Sequence, residues 1–408
     1  MRTPTTEPSG RSATTSRRRL LQATTATLGL TAGFVAGSET AVGQSEGRKE
    51  IRRGTVELIE PEEASDFEYP YLLYRPDTNS MYERPLFVKP LNNPSVSNRS
   101  ELRDQLIGGP TAARHPTFVG ARANAYPGIV PGFPRTPNDD PDYIQTMALP
   151  SYRSELFPKG YRLDDLATEA FPADSLKRID QQLLAMIEDA KARLADAPYT
   201  VADQIHLGGF SASATFSNRF TFLYPEKVET LSTGGSNVLP LPKGSHDETS
   251  LAYPLGTADY EQLTGREFDL EAWAAVNQYL YVGQEDQPMP STDSRGYYYG
   301  SGRYPDTVEE VYGRNRVTER FPFVKEEYTT VSDSAKFEIY EGMGHEMNEA
   351  TRDAIKAFHL EHSPTPNPSS VEGTDESQSN SQAPGFGIGA ALLGLGGAIV
   401  AARGRSET

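Results

Sequence analysis

The chain has 408 residues, a formal net charge of -17 and no cysteine. The acidic balance excludes a nucleic-acid-binding protein, because phosphate contacts need clustered Lys and Arg. The lack of cysteine excludes disulfide bonds, thiolate metal sites and a cysteine nucleophile. The excess of 56 Asp and Glu over 39 Lys and Arg favours a protein solvated in concentrated salt, with an ordinary acidic extracellular protein as the alternative.

Residues 1–43 predict an export signal. Residues 16–22 (SRRRLLQ) precede a weakly apolar run at residues 24–37 and resemble a twin-arginine signal, which carries folded proteins across a membrane. The run is too short and too polar for a membrane-spanning helix. We expect cleavage near residues 41–43, with an uncleaved basic anchor as the alternative.

Residues 50–362 predict one α/β domain. Short apolar runs alternate there with amphipathic runs, a pattern typical of a mostly parallel sheet flanked by helices. Eight strands are predicted, at residues 55–59, 71–75, 86–89, 125–130, 204–208, 229–233, 278–282 and 336–340.

Two amphipathic helices are predicted on either side of the fifth strand. Apolar residues from Leu176 to Leu194 recur every three or four positions, which puts them on one face, and Asp174 is the expected N-cap. The second helix carries a core stripe within residues 216–223. It ends at Pro225, whose ring cannot continue a helix.

The segment GFSAS at residues 209–213 predicts a tight turn from strand to helix that bears a nucleophile. A serine hydroxyl is weakly nucleophilic at neutral pH, so enzymes expose it at such a turn, near a base and backbone N–H donors. Gly209 has no Cβ to strike the helix. Ser213 stands where the usual pattern has a second glycine. We predict Ser211 as the nucleophile.

His345 is the predicted general base. It follows the last predicted strand on a glycine-rich loop, a position where open α/β sheets carry functional groups, and histidine is the usual base near neutral pH. His206 lies within the strand before Ser211, and we interpret it as a core residue. No role is assigned to the other histidines, His115, His246, His359 and His362.

Asp286 is the predicted acid that orients the base. The strand at residues 278–282 leads into GQED, so the order along the chain is Ser, Asp, His, which is the order of α/β-hydrolases. We prefer Asp286 to Glu285 because of its position after the glycine, and Asp293 is the fallback. The alternative is that Asp286 is a surface turn residue.

The oxyanion of a tetrahedral intermediate needs two N–H donors. The amide of Ala212 is the first, because it follows the nucleophile at the start of a helix. The second is expected from the loop at residues 90–94, with Leu91 and Asn92 as candidates. Lipase-like enzymes carry His-Gly-Gly in this loop, and this chain does not.

The last residues predict a tether. Residues 363–383 are rich in Ser, Pro, Asn, Gln and Glu, a composition typical of a solvated stalk. Residues 384–408 contain PGFG, an apolar run and a basic end, and resemble the PGF-CTERM sorting signal of halophilic archaea. That resemblance implies removal of the tail by an archaeosortase and attachment to a lipid at the cell surface. The alternative is an ordinary membrane helix, although the apolar run is shorter than the ~20 residues of a span.

The motifs of the body resemble the α/β-hydrolases close to polyhydroxybutyrate-depolymerase-like serine esterases. The resemblance rests on GFSAS, the following NRF and YPEKV, VGQED, and the GMGH that ends at His345. It implies Ser211 as nucleophile, Asp286 as orienting acid and His345 as base, without a metal or an organic cofactor. Its departures are Ser213 and the missing His-Gly-Gly.

Three functions remain open. The first is an exported, surface-tethered serine hydrolase that cleaves a small or polymeric ester. The second is a catalytically silent α/β-hydrolase relative that serves as a cell-surface binding module. The third is amide or peptide cleavage by the same three residues, which differs from the first only in the leaving group.

Overall fold

The computed structural model describes residues 48–51, 54–77, 83–92, 94–108, 126–138, 163–195, 199–286 and 305–363. The chain divides into two compact units, Met1–Ser45 and Glu46–Thr408, and all described residues belong to the second. The predicted export signal, the stalk after residue 363, the sorting tail, Asn93 and Asp293 lie outside the described residues. No helix among the described residues combines the length and apolar character that crossing a membrane requires.

The strands of the described residues form one large sheet and one small hairpin. In chain order they are β1 (Arg48–Ile51), β2 (Gly54–Ile59), β3 (Tyr71–Pro76), β4 (Phe87–Val88), β5 (Gly128–Pro131), β6 (Ile205–Phe210), β7 (Val228–Gly234), β8 (Ser245–His246), β9 (Thr249–Ser250), β10 (Asn277–Gly283) and β11 (Ala335–Tyr340).

The large sheet has the order β1-β2-β3-β5-β4-β6-β7-β10-β11 in the described part of the chain, and β8 pairs with β9 in the hairpin. From β5 to β11 each strand of this order is parallel to the next. The pairs β1–β2, β2–β3 and β3–β5 are antiparallel. The central strands are buried almost throughout, as parallel strands usually are. This mostly parallel sheet flanked by helices confirms the predicted α/β-hydrolase fold, and all eight predicted strands are present.

The helices pack against this sheet. The helix α3 buries an apolar face from Ile179 to Leu194, and every residue of α4 is buried. In chain order the α-helices of the described residues are α1 (Arg99–Gly108), α2 (Leu163–Leu166), α3 (Ile179–Ala195), α4 (Ala212–Leu223), α5 (Tyr260–Thr264), α6 (Leu270–Ala275), α7 (Pro305–Thr307), α8 (Phe321–Thr329) and α9 (Glu349–Glu361).

The predicted start of α3 is wrong. Asp174 lies in a separate 3-10 turn, Ala173–Leu176, and does not cap the helix. Arg178 adopts a φ of 48°, which a right-handed helix cannot include, so α3 begins one residue later. The side chain of Gln182 ties the two segments together by donating to the carbonyls of residues 175 and 177.

The strand β7 shows how the two faces of the sheet differ. Leu231 belongs to the main hydrophobic core, whereas the neighbouring Thr230 and Ser232 point to the opposite face because side chains alternate along a strand. On that face α9 presents His359, whose two ring nitrogens are hydrogen-bonded at 2.7 Å to Thr230 Oγ1 and Ser232 Oγ.

His206 stacks on this buried histidine, with ring centroids 5.0 Å apart. Its side chain is 0% exposed, which confirms its interpretation as a core residue. Burial lowers the pKa of His206 to about 3 and that of His359 well below its ordinary value. Both imidazoles are therefore neutral parts of the packing between the sheet and α9.

Lowering the pH is expected to destabilise the fold through His206. Its pKa is about 3 when folded and 6.5 in an unfolded chain, so between these values the unfolded state binds more protons. Stability is therefore full above the unfolded pKa and falls as the pH drops through this window. Replacing His206 with Phe keeps a ring that cannot be protonated, and should flatten the decline by up to about 1.4 kcal/mol per pH unit.

Urea unfolding of the wild type and His206→Phe at several pH values between about 7 and 4.5 measures this difference. Equal slopes in the two proteins would contradict the prediction, whatever the absolute stability of the variant.

Candidate active site

The backbone at Ser211 is strained. Ser211 has a φ of 61° and a ψ of -123°, outside the regions that residues with a Cβ ordinarily occupy. It caps α4, and its N–H donates to the carbonyl of Gly234 at the end of β7 over 2.9 Å. The side chain thus stands at the carboxyl edge of the sheet, where β6 turns into α4.

Gly209 and Ser213 shape this turn. A Cβ at Gly209 would lie 2.3 Å from the carbonyl oxygen of Ser213, so the backbone leaves no room for one. The Ser213 hydroxyl accepts from the N–H of Phe210 at 3.0 Å and donates to the carbonyl of Phe210 at 2.9 Å. Ser213, which stands in place of the usual second glycine, therefore stabilises the turn through its hydroxyl.

The predicted oxyanion residues lie beside the same turn. Ala212 is the first residue of α4, so its N–H has no partner within the helix. Asn92 donates from Nδ2 to the carbonyl of Phe210 at 3.2 Å, which brings the loop after β4 to the turn. The side chain of Leu91 packs in the main core. The roles of Ala212, Leu91 and Asn92 as N–H donors remain predictions.

Asp286 and His345 are in contact. The Nδ1 of His345 lies 3.0 Å from Oδ2 and 3.1 Å from Oδ1 of Asp286. The Asp286 side chain is 1% exposed, and the His345 side chain is 41% exposed. The adjacent Glu285 is exposed, and its N–H donates to the carbonyl of Met343. Of the two acidic neighbours, the structure turns Asp286 toward the histidine.

The ring of His345 also lies against the turn that carries the serine. Its centroid is 4.8 Å from that of Phe210, and a Cβ on Gly235 would lie 2.8 Å from its Cε1. Phe210 precedes Ser211, and Gly235 follows Gly234, whose carbonyl accepts from the N–H of Ser211. Within the described residues, however, no hydrogen bond joins the Ser211 hydroxyl to the imidazole. Such bonds are often long without substrate and tighten in the substrate complex.

Arg316 is a charged member of the site that sequence analysis missed. Its Nη1 donates to Oδ1 of Asp286 at 2.7 Å and lies 3.4 Å from Nδ1 of His345. Burial lowers the pKa of Arg316, while Asp286 acts in the opposite direction. No pattern distinguishes this arginine from the other cations in the sequence, because the contact spans 30 residues.

No protein-family model matches the sequence, and a search of curated proteins found no match. Among solved structures, poly(aspartic acid) hydrolase-1 from Sphingomonas sp. KT-1 is 15% identical, with 76% of this chain and 98% of that chain covered and a TM-score of 0.48. The poly(3-hydroxybutyrate) depolymerase LpqC from Bordetella parapertussis is 16% identical, with coverages of 79% and 92% and a TM-score of 0.43. A ferulic acid esterase from Anaeromyces mucronatus is 11% identical, with coverages of 78% and 93% and a TM-score of 0.39.

Adding a methyl group at Gly209 should destabilise the protein. In Gly209→Ala the new Cβ meets backbone atoms of Ser213 and Ala214 within 2.6 Å, and backbone cannot move aside as a side chain can. We expect a loss of about 2 kcal/mol or more in the free energy of unfolding, measured with denaturant.

Gly244→Ala is the matched control, because its Cβ would meet no atom closer than 3.7 Å. It should change stability by less than about 1 kcal/mol. Equal stabilities of the two variants would show that the turn accommodates a Cβ at residue 209, which would contradict the prediction.

Proposed function

We propose that this chain is a serine hydrolase that cleaves a carboxylic ester through an acyl-enzyme. One observation carries the proposal. A buried carboxylate, Asp286, is hydrogen-bonded to a partly exposed imidazole, His345, beside the strained turn that holds Ser211. Buried acid, exposed base and a serine held at positive φ are the parts that nucleophilic catalysis by serine needs.

The hydrogen bond with Asp286 determines what His345 can do. An ionised carboxylate only accepts hydrogen bonds, so the Nδ1 of a neutral His345 carries the proton and its Nε2 is left with a free lone pair. That Nε2 removes the hydroxyl proton of Ser211 as Oγ attacks the carbonyl carbon of the ester. The resulting imidazolium lies against the negative charge of Asp286, which stabilises it.

The remaining steps return the enzyme to its starting state. The tetrahedral intermediate collapses, the proton passes from His345 to the leaving alkoxide, and an alcohol departs while the acyl group stays on Ser211. Water then attacks the acyl carbon as His345 accepts its proton. The second tetrahedral intermediate collapses, a carboxylic acid is released, and the proton passes from His345 to Oγ of Ser211. The N–H of Ala212, together with one from Leu91 or Asn92, binds the oxyanion in both halves.

We also propose that the protein is exported and held at the cell surface. This proposal rests on the sequence alone, on the segments that resemble a twin-arginine signal and a PGF-CTERM sorting signal. A catalytic body outside the cell would meet small or polymeric esters there, with export and sorting machinery as its partners.

Replacing the nucleophile should abolish the reaction. We expect Ser211→Ala to lose more than ~99.9% of its hydrolysis of a short-chain aryl ester in concentrated salt, and to lose all labelling by a fluorophosphonate, because only an activated serine forms that adduct. Ser250→Ala, which changes an exposed serine in the β8–β9 hairpin, is the control and should be labelled like the wild type.

A folded wild-type protein that resists the fluorophosphonate would favour the silent binding module. Labelling of Ser211 together with faster turnover of an anilide than of the matching ester would favour amide cleavage. Either result would contradict the proposed ester hydrolase.

Substitutions of the two neighbouring acids, Asp286 and Glu285, should have very different effects on kcat. Asp286→Asn keeps the shape of the side chain but removes the charge that faces His345, so kcat should fall by roughly 10³ to 10⁴. Glu285→Gln removes one charge from the adjacent exposed position, and kcat should stay within about threefold of the wild type. A large loss in Glu285→Gln with near-normal turnover in Asp286→Asn would reverse the assignment of the acid.

A further inference from the structure

We propose that Arg316 is a positioning residue that holds the Asp286 carboxylate in the orientation from which it binds His345. This inference rests on the proposed serine hydrolase. It concerns a contact outside the Ser, Asp, His set.

Two nitrogen donors share the carboxylate of Asp286. Arg316 Nη1 binds Oδ1 at 2.7 Å, and His345 Nδ1 lies 3.0 to 3.1 Å from both oxygens. The side chains of Asp286 and Arg316 are 1% and 13% exposed, so water screens their interaction little. The arginine contact is the shorter one, and it holds the carboxylate independently of His345.

Arg316 is itself held by a rigid backbone. It is the first residue of the π-helical turn Arg316–Arg320, whose N-cap Asn315 accepts from the N–H groups of residues 317 and 318 at 2.9 Å. Oε2 of Glu319 accepts from the N–H of Asn315 at 2.6 Å. Arg320 donates to Oδ1 of Asn237 at 2.7 Å, which ties this turn to the loop after β7.

Arg316 also lies beside the imidazole. Its Nη1 lies 3.4 Å from Nδ1 of His345, and both groups are donors once Nδ1 carries a proton. Two donors do not bond to each other, so both bind the carboxylate of Asp286.

The role of Arg316 follows from these contacts. Arg316 binds Oδ1, so the carboxylate keeps the orientation in which it binds Nδ1 of His345. Without Arg316 the carboxylate can turn away, and the imidazole loses the partner that fixes its orientation toward Ser211. A small misplacement of a catalytic group lowers the rate of the chemical step and leaves substrate binding nearly unchanged.

The test is hydrolysis of the aryl ester together with fluorophosphonate labelling in the full chain. In Arg316→Met, kcat and the labelling rate should both fall by about 10- to 100-fold, with KM within about threefold of the wild type. Arg316→Lys keeps a cationic donor and should recover at least half of this loss on a logarithmic scale. Arg314→Met removes an exposed cation two residues away and should leave both rates unchanged.

The outcomes separate the two proposals. If the wild type is not labelled, or Ser211→Ala is labelled equally, the proposed function fails and this inference fails with it. If the wild type is labelled at Ser211 and Arg316→Met keeps the wild-type kcat and labelling rate, or loses activity only through KM, only the role of Arg316 is overturned. If Arg316→Met does not fold, wild-type rates in Arg316→Gln overturn it instead.

Discussion

The continuation of the β10–β11 ladder beyond the strand ends is the constraint on which the site depends. The last paired residues are Gly283 and Tyr340, and two further backbone bonds follow, from Gln284 N–H to the carbonyl of Tyr340 and from Glu285 N–H to that of Met343. A Cβ at Gly283 would lie 2.2 Å from the carbonyl oxygen of Met343, so the two loops touch through bare backbone. These main-chain hydrogen bonds bring Asp286 within reach of a histidine 59 positions later in the chain.

The second constraint is the strained turn at Ser211. A residue with a Cβ at positive φ costs on the order of 1–3 kcal/mol, and it persists only where its surroundings determine it. Here the surroundings are the bond from Ser211 N–H to Gly234, the two bonds of the Ser213 hydroxyl and the complete burial of α4. The serine is consequently fixed, while its prospective base is the more exposed partner.

The sequence was sufficient for the fold and for the meeting of Asp286 with His345. Apolar runs bounded by turn residues identify parallel strands, and residues that directly follow parallel strands meet at one edge of the sheet. Strand β1 was missed because Arg48–Ile51 is mostly charged and lies at the edge of the described sheet, where it pairs with β2. The start of α3 was misplaced because the positive φ of Arg178 leaves no mark in the pattern of apolar residues.

Arg316 could not be predicted for a different reason. Its position relative to Asp286 depends on the π-helical turn Arg316–Arg320 and on the contact of Arg320 with Asn237, which are tertiary features. Periodicity describes which face of an element is buried, but it does not say which distant side chain a long cation will reach. Charged residues that adjust a site from outside its motif are therefore the part that a sequence pattern conveys least.

The histidines show how the same side chain takes opposite roles. A catalytic imidazole must exchange protons, so it needs access to solvent and a charged partner, and His345 has both. A structural imidazole must remain neutral, and His359 is kept so by burial and by two hydroxyl partners on β7. The same strand ends at Gly234, which binds Ser211. Because β7 carries both contacts, the neutral state of His359 supports the same strand that positions the nucleophile.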